Sequence, residues 1–291
     1  MSIRVGFIGF GEVGAIFSAA VSAGGAEVAA YDVVEEKVTA GGAIYRPLAE
    51  LVECADYVLS TVTTSAAESA ARSCLPYLRQ GQAYVDLNST SPSVKLELAA
   101  MIEPTGAHFV EGAILGAVGV TGAGTRILIG GRTGHAAAET LTRAGLRAAF
   151  YSAEIGKASR FKMLRSIFSK GLEALLLELL IAGERAGIAK DLWEDVAEFM
   201  ARNPFDRVAR NWLQSHAVAY DRRYHEMVQV AETMREIGVD PVMTAATEAF
   251  FKRSCTLGLD REFPAKPASM EEVVAFMEHT LRGAERDADG E

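Results

Sequence analysis

The chain has 291 residues, of which 49 % are hydrophobic, so it is long enough to bury one large core or two smaller ones. Its formal net charge of −9 argues against a nucleic-acid or anionic-membrane partner, because both require a basic surface. The three cysteines are widely spaced and form no disulfide or metal-binding pattern, and we find no export signal or membrane span, so we expect a cytoplasmic protein without a metal site.

Strands and helices are predicted to alternate through the first half of the chain. The apolar run Ile3–Ile8 predicts a buried strand, apolar residues at helical spacing predict a helix over Glu12–Ala23, and Glu27–Tyr31 predicts a second strand. The other predicted strands are Tyr57–Val62, Ala83–Leu87, Phe109–Leu115 and Ile127–Gly130. The other predicted helices are Ala66–Leu78, Pro92–Ile102 and Ala136–Ala144. This α/β alternation is typical of a doubly wound, Rossmann-type parallel sheet, which we expect over residues 1–155.

The second half of the chain is predicted to be all-α. It begins with one long interdomain helix over Lys157–Gly187. Proline and glycine residues then separate shorter helical segments, because both residues interrupt helices. These segments are Leu192–Arg202, Phe205–Ser215, Tyr224–Ile237, Val242–Thr256 and Met270–Leu281. We therefore expect a helical domain over residues 156–291.

A glycine motif, GxGxxG, lies between the first predicted strand and the first predicted helix. In this context Gly9 allows a tight turn, Gly11 the close approach of a pyrophosphate, and Gly14 the packing of the helix against the strand. The helix N-terminus offers free N–H groups and the positive end of its dipole to the phosphates. The candidate cofactor-binding residues of this segment are Gly9, Phe10, Gly11, Glu12, Val13 and Gly14. The alternative is a glycine turn that binds nothing.

Asp32 ends the second predicted strand, eighteen residues after Gly14. A carboxylate at this position accepts hydrogen bonds from the ribose hydroxyls of NAD and repels a 2′-phosphate. No arginine follows it directly, so we predict NAD rather than NADP; the alternative is that Asp32 is a surface residue.

Two further strand ends contribute polar candidates, because ligands bind at the carboxyl edge of doubly wound sheets. Thr61, Val62 and Thr63 lie at the end of one predicted strand and are candidates for contact with the cofactor. Asn88 and Ser89 follow the next strand and are candidates for contact with the substrate, with Asn88 also a candidate for the nicotinamide ribose.

Together with GFIGFGEVG at residues 6–14, three later segments resemble the β-hydroxyacid dehydrogenase family, which includes 3-hydroxyisobutyrate dehydrogenase and 6-phosphogluconate dehydrogenase. These segments are DLNSTSP at 86–92, EGAILGA at 111–117 and GKASRFKMLRS at 156–166. The resemblance covers nearly the whole chain. It implies that residues 86–92 border the nicotinamide and the substrate, that residues 111–117 form a substrate-binding loop, and that Lys162 is the catalytic lysine.

Some positions depart from the family pattern. Leu115 stands where the family has a serine, Gly116 is retained, and Ala117 replaces a second glycine. Ser166 stands where the family has an asparagine four residues after the lysine. We include Leu115, Gly116 and Ser166 among the candidate substrate-binding residues, together with His225 of the helical domain, for which a solvated or capping role is the alternative.

The function that these residues predict is hydride transfer between a nicotinamide cofactor and the hydroxyl-bearing carbon of a small hydroxy acid or related alcohol. Lys162 would act as general acid and base, with a pKa lowered from about 10.4 towards ~7–8 by burial beside the nicotinamide. The alternative for Lys162 is an exposed lysine on an amphipathic helix. The alternative functions are an imine reductase, which the retained lysine argues against, and a dinucleotide-sensing protein without turnover.

The long predicted helix has apolar residues on more than one face, including seven leucines and isoleucines between positions 172 and 181. A helix that is apolar on all sides has to be buried on all sides. This pattern and the family resemblance imply a homodimer formed through the C-terminal helices. The alternative is a monomer whose own helices cover this segment.

Overall fold

The computed structural model describes residues 2–288 and contains two compact units, divided between Ile167 and Phe168. This division falls inside one helix, Lys157–Ala186, whereas the sequence places the domain boundary just before that helix begins.

The first unit is built on an eight-stranded sheet. Its strands are β1 (Arg4–Ile8), β2 (Glu27–Tyr31), β3 (Ile44–Tyr45), β4 (Tyr57–Ser60), β5 (Ala83–Asp86), β6 (His108–Ile114), β7 (Ile127–Gly130) and β8 (Ala148–Ser152). Its helices are α1 (Glu12–Ala23), α2 (Glu35–Ala40), α3 (Leu48–Cys54), α4 (Ala67–Cys74), α5 (Pro92–Ile102), α6 (Val118–Thr121) and α7 (Gly134–Arg143), followed by the start of α8 (Lys157–Ala186).

The strand order is β3-β2-β1-β4-β5-β6-β7-β8, and all neighbours are parallel except β6 and β7, which are antiparallel. The predicted doubly wound sheet is therefore confirmed, with β7 and β8 running opposite to the other six strands. The chain order changes direction at β1, which lies between β2 and β4. In such sheets a ligand crevice opens at the carboxyl ends of the strands at this point.

Apolar side chains cover both faces of the sheet. Along β1, Phe7 belongs to the cluster that includes residues of α1 and α7, and Ile8 belongs to the cluster that includes residues of α3 and α5. Because successive strand residues point to opposite faces, both faces of a central strand must be apolar, which explains the uninterrupted apolar run of β1.

The first unit contains five elements that were not predicted from the sequence: α2, β3, α3, α6 and β8. Strand β3 has two residues, too few to show a period-two pattern, and helix α2 has six. In β8 no residue is fully buried, so its sequence lacks the apolar run of a central strand.

The described part of the second unit is helical, as predicted. Its helices are the remainder of α8, α9 (Ala189–Arg202), α10 (Phe205–Glu236), α11 (Val242–Ser254), α12 (Leu259–Glu262) and α13 (Met270–Ala288). Helix α10 is continuous through the break that we predicted between Ser215 and Tyr224, because that stretch has no glycine or proline. Across residues 2–288, every helix is too short or too polar to cross a membrane.

Candidate functional site

The glycine loop between β1 and α1 is tightly packed on one side and open on the other. Gly9 has a φ of +88°, and a Cβ added there would lie 2.8 Å from the carbonyl oxygen of Thr61. A Cβ on Gly14 would lie 2.3 Å from the carbonyl oxygen of Gly9, whereas a Cβ on Gly11 would meet no non-neighbouring atom of residues 2–288 within 4 Å. The N-cap residue of α1 is Gly11, which has no side chain to cap the helix N-terminus. The loop therefore leaves N–H groups and open space for an anionic group, which fits a pyrophosphate.

A cleft of about 340 Å³ opens beside this loop, at the carboxyl ends of β1, β2 and β4. Six of the candidate cofactor-binding residues line it: Gly9, Gly11, Asp32, Thr61, Val62 and Thr63. The other lining residues were not among the predicted site residues; they are Ile8, Tyr31, Val33, Lys37, Leu48, Ala66, Ser69, Ala70 and Ser73. A cleft of this size, apolar with a few hydroxyl and charged groups, is typical of a small-ligand site.

Asp32 is tied to the glycine loop. Its Oδ2 accepts a 2.7 Å hydrogen bond from the backbone N–H of Phe10, and its Oδ1 accepts a 2.9 Å hydrogen bond from the N–H of Val34. Lys37 Nζ lies 3.9 Å from Oδ1. Each carboxylate oxygen has a second lone pair, so Asp32 can support the loop and still accept from a ribose hydroxyl.

Several other candidate cofactor-binding residues have side chains that contact neighbouring parts of the protein. The hydroxyl of Thr61 donates a 2.7 Å hydrogen bond to the carbonyl of Gly9. The Phe10 side chain is buried in the core, and Val13 packs against the same core. The Glu12 carboxylate lies over Gly119 of α6, where an added Cβ would be 2.2 Å from its Oε1. These side chains shape the loop, so any contact of Phe10 or Val13 with a phosphate would be through the main chain.

Lys162 lies in the second turn of α8, and its Nζ donates a 2.5 Å hydrogen bond to Oγ of Ser89. Ser89 comes three residues after the end of β5, at the carboxyl edge of the sheet. Burial lowers the pKa of Lys162 below its ordinary value, and the positive charge of Lys95 lowers it further. The structure therefore brings two candidates, Lys162 and Ser89, into direct contact.

Asn88 is buried, and its amide faces the protein interior. Its Nδ2 donates hydrogen bonds to Ser60 Oγ, at 2.9 Å, and to the carboxylate of Asp86, while its Oδ1 has no hydrogen-bond partner within residues 2–288. Asn88 thus supports the segment that presents Ser89.

Two buried charged groups near this edge were missed by the sequence analysis. Lys95 and Asp86 form an ion pair whose side chains are 1 % and 0 % exposed. The signal in the sequence was a lysine on the apolar face of a predicted helix, at one of the four positions of α5 that are buried. Because a lysine is almost never fully buried without a partner, this position indicates a buried partner for Lys95.

Glu111 is the third missed group. It is wholly buried in β6, where its carboxylate accepts hydrogen bonds from the N–H groups of Gly156 (2.8 Å), Ala158 (3.1 Å) and Ser159 (3.4 Å). The strand partner of Glu111 is Gly130, where a Cβ would lie 2.5 Å from the glutamate Oε1. An acid inside the apolar run of β6 was the signal in the sequence.

The remaining candidates have different surroundings. Leu115 packs with Phe161 against the small apolar cluster that contains Ala158, and the neighbouring Gly116 is exposed. The Ser166 hydroxyl donates a 3.1 Å hydrogen bond to the carbonyl of Lys162. His225 lies in the second unit, exposed on α10, with its Nε2 3.9 Å from Asp221.

Family models match a segment in each half of the chain. Residues 4–153 match the model of the NAD-binding domain of 6-phosphogluconate dehydrogenase, and residues 184–254 match a domain of unknown function, DUF1932. A conserved protein of unknown function, whose solved structure resembles 3-hydroxyacid dehydrogenases, is 34 % identical; the match covers 89 % of this chain and 97 % of that one, with a TM-score of 0.59.

Human mitochondrial 3-hydroxyisobutyrate dehydrogenase is 30 % identical over 136 residues, which are 44 % of this chain and 40 % of that protein. The solved structure of an imine reductase from Pseudomonas sp. has the same fold, with a TM-score of 0.77 at 16 % identity over 95 % of this chain and 100 % of that one. The matched nucleotide-binding domain, the glycine loop and the relatives together show that this chain belongs to the β-hydroxyacid dehydrogenase family of NAD(P)-dependent oxidoreductases.

Proposed function

We propose that this protein is an NAD-dependent oxidoreductase that acts on the hydroxyl-bearing carbon of a small hydroxy acid or related alcohol, with Lys162 as general acid and base. The observation that carries this proposal is the position of Lys162, half-buried against Ser89 at the carboxyl edge of the sheet. When bound, the nicotinamide ring supplies the acceptor or donor of the hydride.

Lys162 has the properties that proton transfer at a substrate hydroxyl requires. Its neutral amine can accept the hydroxyl proton during oxidation, and its ammonium can return that proton during reduction. Burial and the charge of Lys95 both lower its pKa, which increases the fraction of neutral amine near neutral pH. The hydrogen bond to Ser89 orients the amine.

The cleft beside the glycine loop supports binding of the dinucleotide, and Asp32 supports NAD over NADP. Its carboxylate lines the cleft and would repel a 2′-phosphate. Lys37 also lines the cleft, and its Nζ lies 3.9 Å from Oδ1 of Asp32, so its positive charge is paired with that carboxylate.

A second copy of the chain is the partner that the helical unit favours. Within that unit, Leu172, Leu175, Leu177 and Ile181 of α8 are each between 41 % and 58 % exposed. These exposed apolar residues lie on more than one face of α8, and exposed apolar residues in such number are typical of a surface that is covered by another chain. We therefore propose a homodimer through the C-terminal helices.

The test is a hydride-transfer assay with NADH and NAD over a panel of hydroxy acids, keto acids and cyclic imines. With its best hydroxy-acid substrate, Lys162→Met is expected to lower turnover by roughly 10²–10⁴-fold, because general acid–base catalysis contributes on that scale. The matched control is Lys157→Met, which removes an exposed lysine of the same helix and leaves turnover unchanged. Reduction of imines with no activity on hydroxy acids would favour the imine reductase, whose fold this chain shares.

A further inference from the structure

Lys95 is a buried lysine that takes no direct part in the proposed proton transfer. It lies in α5, and its side chain is 1 % exposed. Burying an ammonium group is costly unless every N–H finds an acceptor. The partners of Lys95 therefore indicate what its charge does in this fold.

The ammonium of Lys95 has three acceptors for its three N–H groups. It forms an ion pair with the carboxylate of Asp86, and donates hydrogen bonds to the backbone carbonyls of Asp86 (3.0 Å) and Asn88 (2.9 Å). A single side chain thus binds the backbone at both ends of the segment 86–88, which begins with the last residue of β5. Asp86 is paired with Ser60 of β4 and Glu111 of β6, and the N–H of Leu87 donates a 3.0 Å hydrogen bond to the carbonyl of Ser60. Lys95 therefore adds to the sheet hydrogen bonds at the point where they end and extends the support to Asn88.

The same segment is held from its other side. The Asn88 amide donates to the Asp86 carboxylate and to Ser60 Oγ of β4. Ser89 is the next residue along the chain, and its Oγ accepts the hydrogen bond from Lys162. A continuous series of contacts therefore leads from Lys95 through the backbone of Asn88 to Ser89 and to Lys162.

Stability alone does not account for this ion pair. Replacing a buried ion pair by apolar groups of similar volume is often neutral or stabilising, so a gain in stability is not a sufficient reason for this pair. Its position close to Lys162, the proposed proton-transfer group, suggests a role in the reaction. We propose that Lys95 is a positioning residue that holds Ser89, and through it Lys162, in the geometry for proton transfer. This inference rests on the proposed function, because it assigns Lys95 a role only through Lys162.

The test removes both charges together, because Lys95→Met alone would leave the Asp86 carboxylate buried and unpaired. The variant is Asp86→Asn/Lys95→Met, which keeps side-chain volumes close to the original. We expect its turnover to fall by about 10–100-fold, since a misplacement of about 1 Å can cost about 10² in rate, with the Kd for the cofactor changed by less than about threefold. The matched control is Glu68→Gln/Arg72→Met, which removes an exposed ion pair of α4 and leaves turnover unchanged.

A double-mutant cycle with Lys162→Met separates positioning from a general structural effect. We call Asp86→Asn/Lys95→Met the charge-free variant. If Lys95 acts through Lys162, adding these two substitutions to Lys162→Met lowers turnover no further. An equal loss in both backgrounds would overturn the proposal, as would wild-type turnover in the charge-free variant.

Ser89→Ala provides a second arm that leaves the buried pair intact and applies if the charge-free variant does not fold. We expect a turnover loss of about tenfold or more, again absent in the Lys162→Met background. Wild-type turnover in Ser89→Ala would overturn the link between Lys95 and Lys162. Failure of the proposed function would look different, because Lys162→Met alone would then leave turnover unchanged.

Discussion

The carboxylate of Glu111 accepts a 2.7 Å hydrogen bond from the hydroxyl of Ser159, which is 48 residues further along the chain. With its three backbone contacts, this bond ties the middle of β6 to the first turn of α8. Lys162 lies three residues after Ser159, so the same contact fixes the start of the helix that presents the lysine. An acidic group at a helix N-terminus is also favoured by the helix dipole.

We expect Glu111→Gln to lower the free energy of unfolding by about 2–4 kcal/mol, because an amide group replaces one acceptor oxygen and faces buried N–H donors. Urea denaturation of the variant and of the wild type measures the difference. Glu97→Gln, on the exposed side of α5, is the control and should stay within about 0.5 kcal/mol of wild type. Equal stability of Glu111→Gln and wild type would contradict this role.

Gly11 and Gly14 should respond differently to the same added methyl group. Gly14→Ala places Cβ 2.3 Å from the Gly9 carbonyl, so we expect it to lower the melting temperature and to weaken cofactor binding. A Cβ at Gly11 has open space within 4 Å in the described part of the chain, so Gly11→Ala should leave the melting temperature unchanged and weaken only cofactor binding. Thermal melts and fluorescence titration with NADH give both quantities. Unchanged NADH affinity in Gly11→Ala would argue against a pyrophosphate at this loop.

The pH dependence follows from the lowered pKa of Lys162. Oxidation needs the neutral amine, so its rate should rise with pH and level off above a pKa that lies below the ordinary value of about 10.4. Reduction needs the ammonium, so its rate should fall with rising pH through the same pKa. Profiles of kcat/KM in both directions measure it, with Lys162→Met as the variant in which this titration is absent. A titration that persists in Lys162→Met belongs to another group.

The preference for NADH over NADPH should depend on the negative charge of Asp32. We expect NADH to bind at least about tenfold more tightly than NADPH, a difference of about 1.4 kcal/mol. Asp32→Asn removes the charge, so it should narrow this ratio, whereas Glu36→Gln, on exposed α2, should not change it. Dissociation constants measured for both cofactors decide the question, and tighter binding of NADPH by the wild type would refute the preference.

The homodimer is tested by the molar mass in solution. The chain has a mass of 31.1 kDa, so light scattering at micromolar concentration should give about twice that value. Leu177→Glu puts a charge among the exposed apolar residues of α8 and should shift the protein towards monomers, while Lys170→Glu, a charge change at an exposed lysine of the same helix, should not. A fully active 31.1 kDa species would exclude the dimer as the functional form.

Much of the secondary structure of the nucleotide-binding half could be predicted, because the sequence patterns that specify it are local. The run of β1, the glycines at 9, 11 and 14, and the helix of α1 are each specified within a few neighbouring residues, and α1 has the predicted bounds, Glu12–Ala23. The elements that escaped prediction are the short or half-exposed ones, such as β3 and β8. Strands β3 and β8 form because a neighbouring strand provides hydrogen-bond partners. The periodicity of their own residues does not predict this pairing.

The sequence by itself determined that a strand, a glycine turn and a helix would form in succession, and that Lys162 would lie near the start of a long helix, because short-range backbone and hydrophobic preferences decide such features. Only the tertiary structure decided that Lys95 meets Asp86, that Glu111 meets the first turn of α8, and that Lys162 meets Ser89. The last two contacts join residues 45 and 73 positions apart. The buried ion pair joins residues only nine positions apart, yet it depends on β5 and α5 packing together. A charged side chain is buried where long-range packing supplies its partners, and a linear pattern of residue types contains no information about which partners those are.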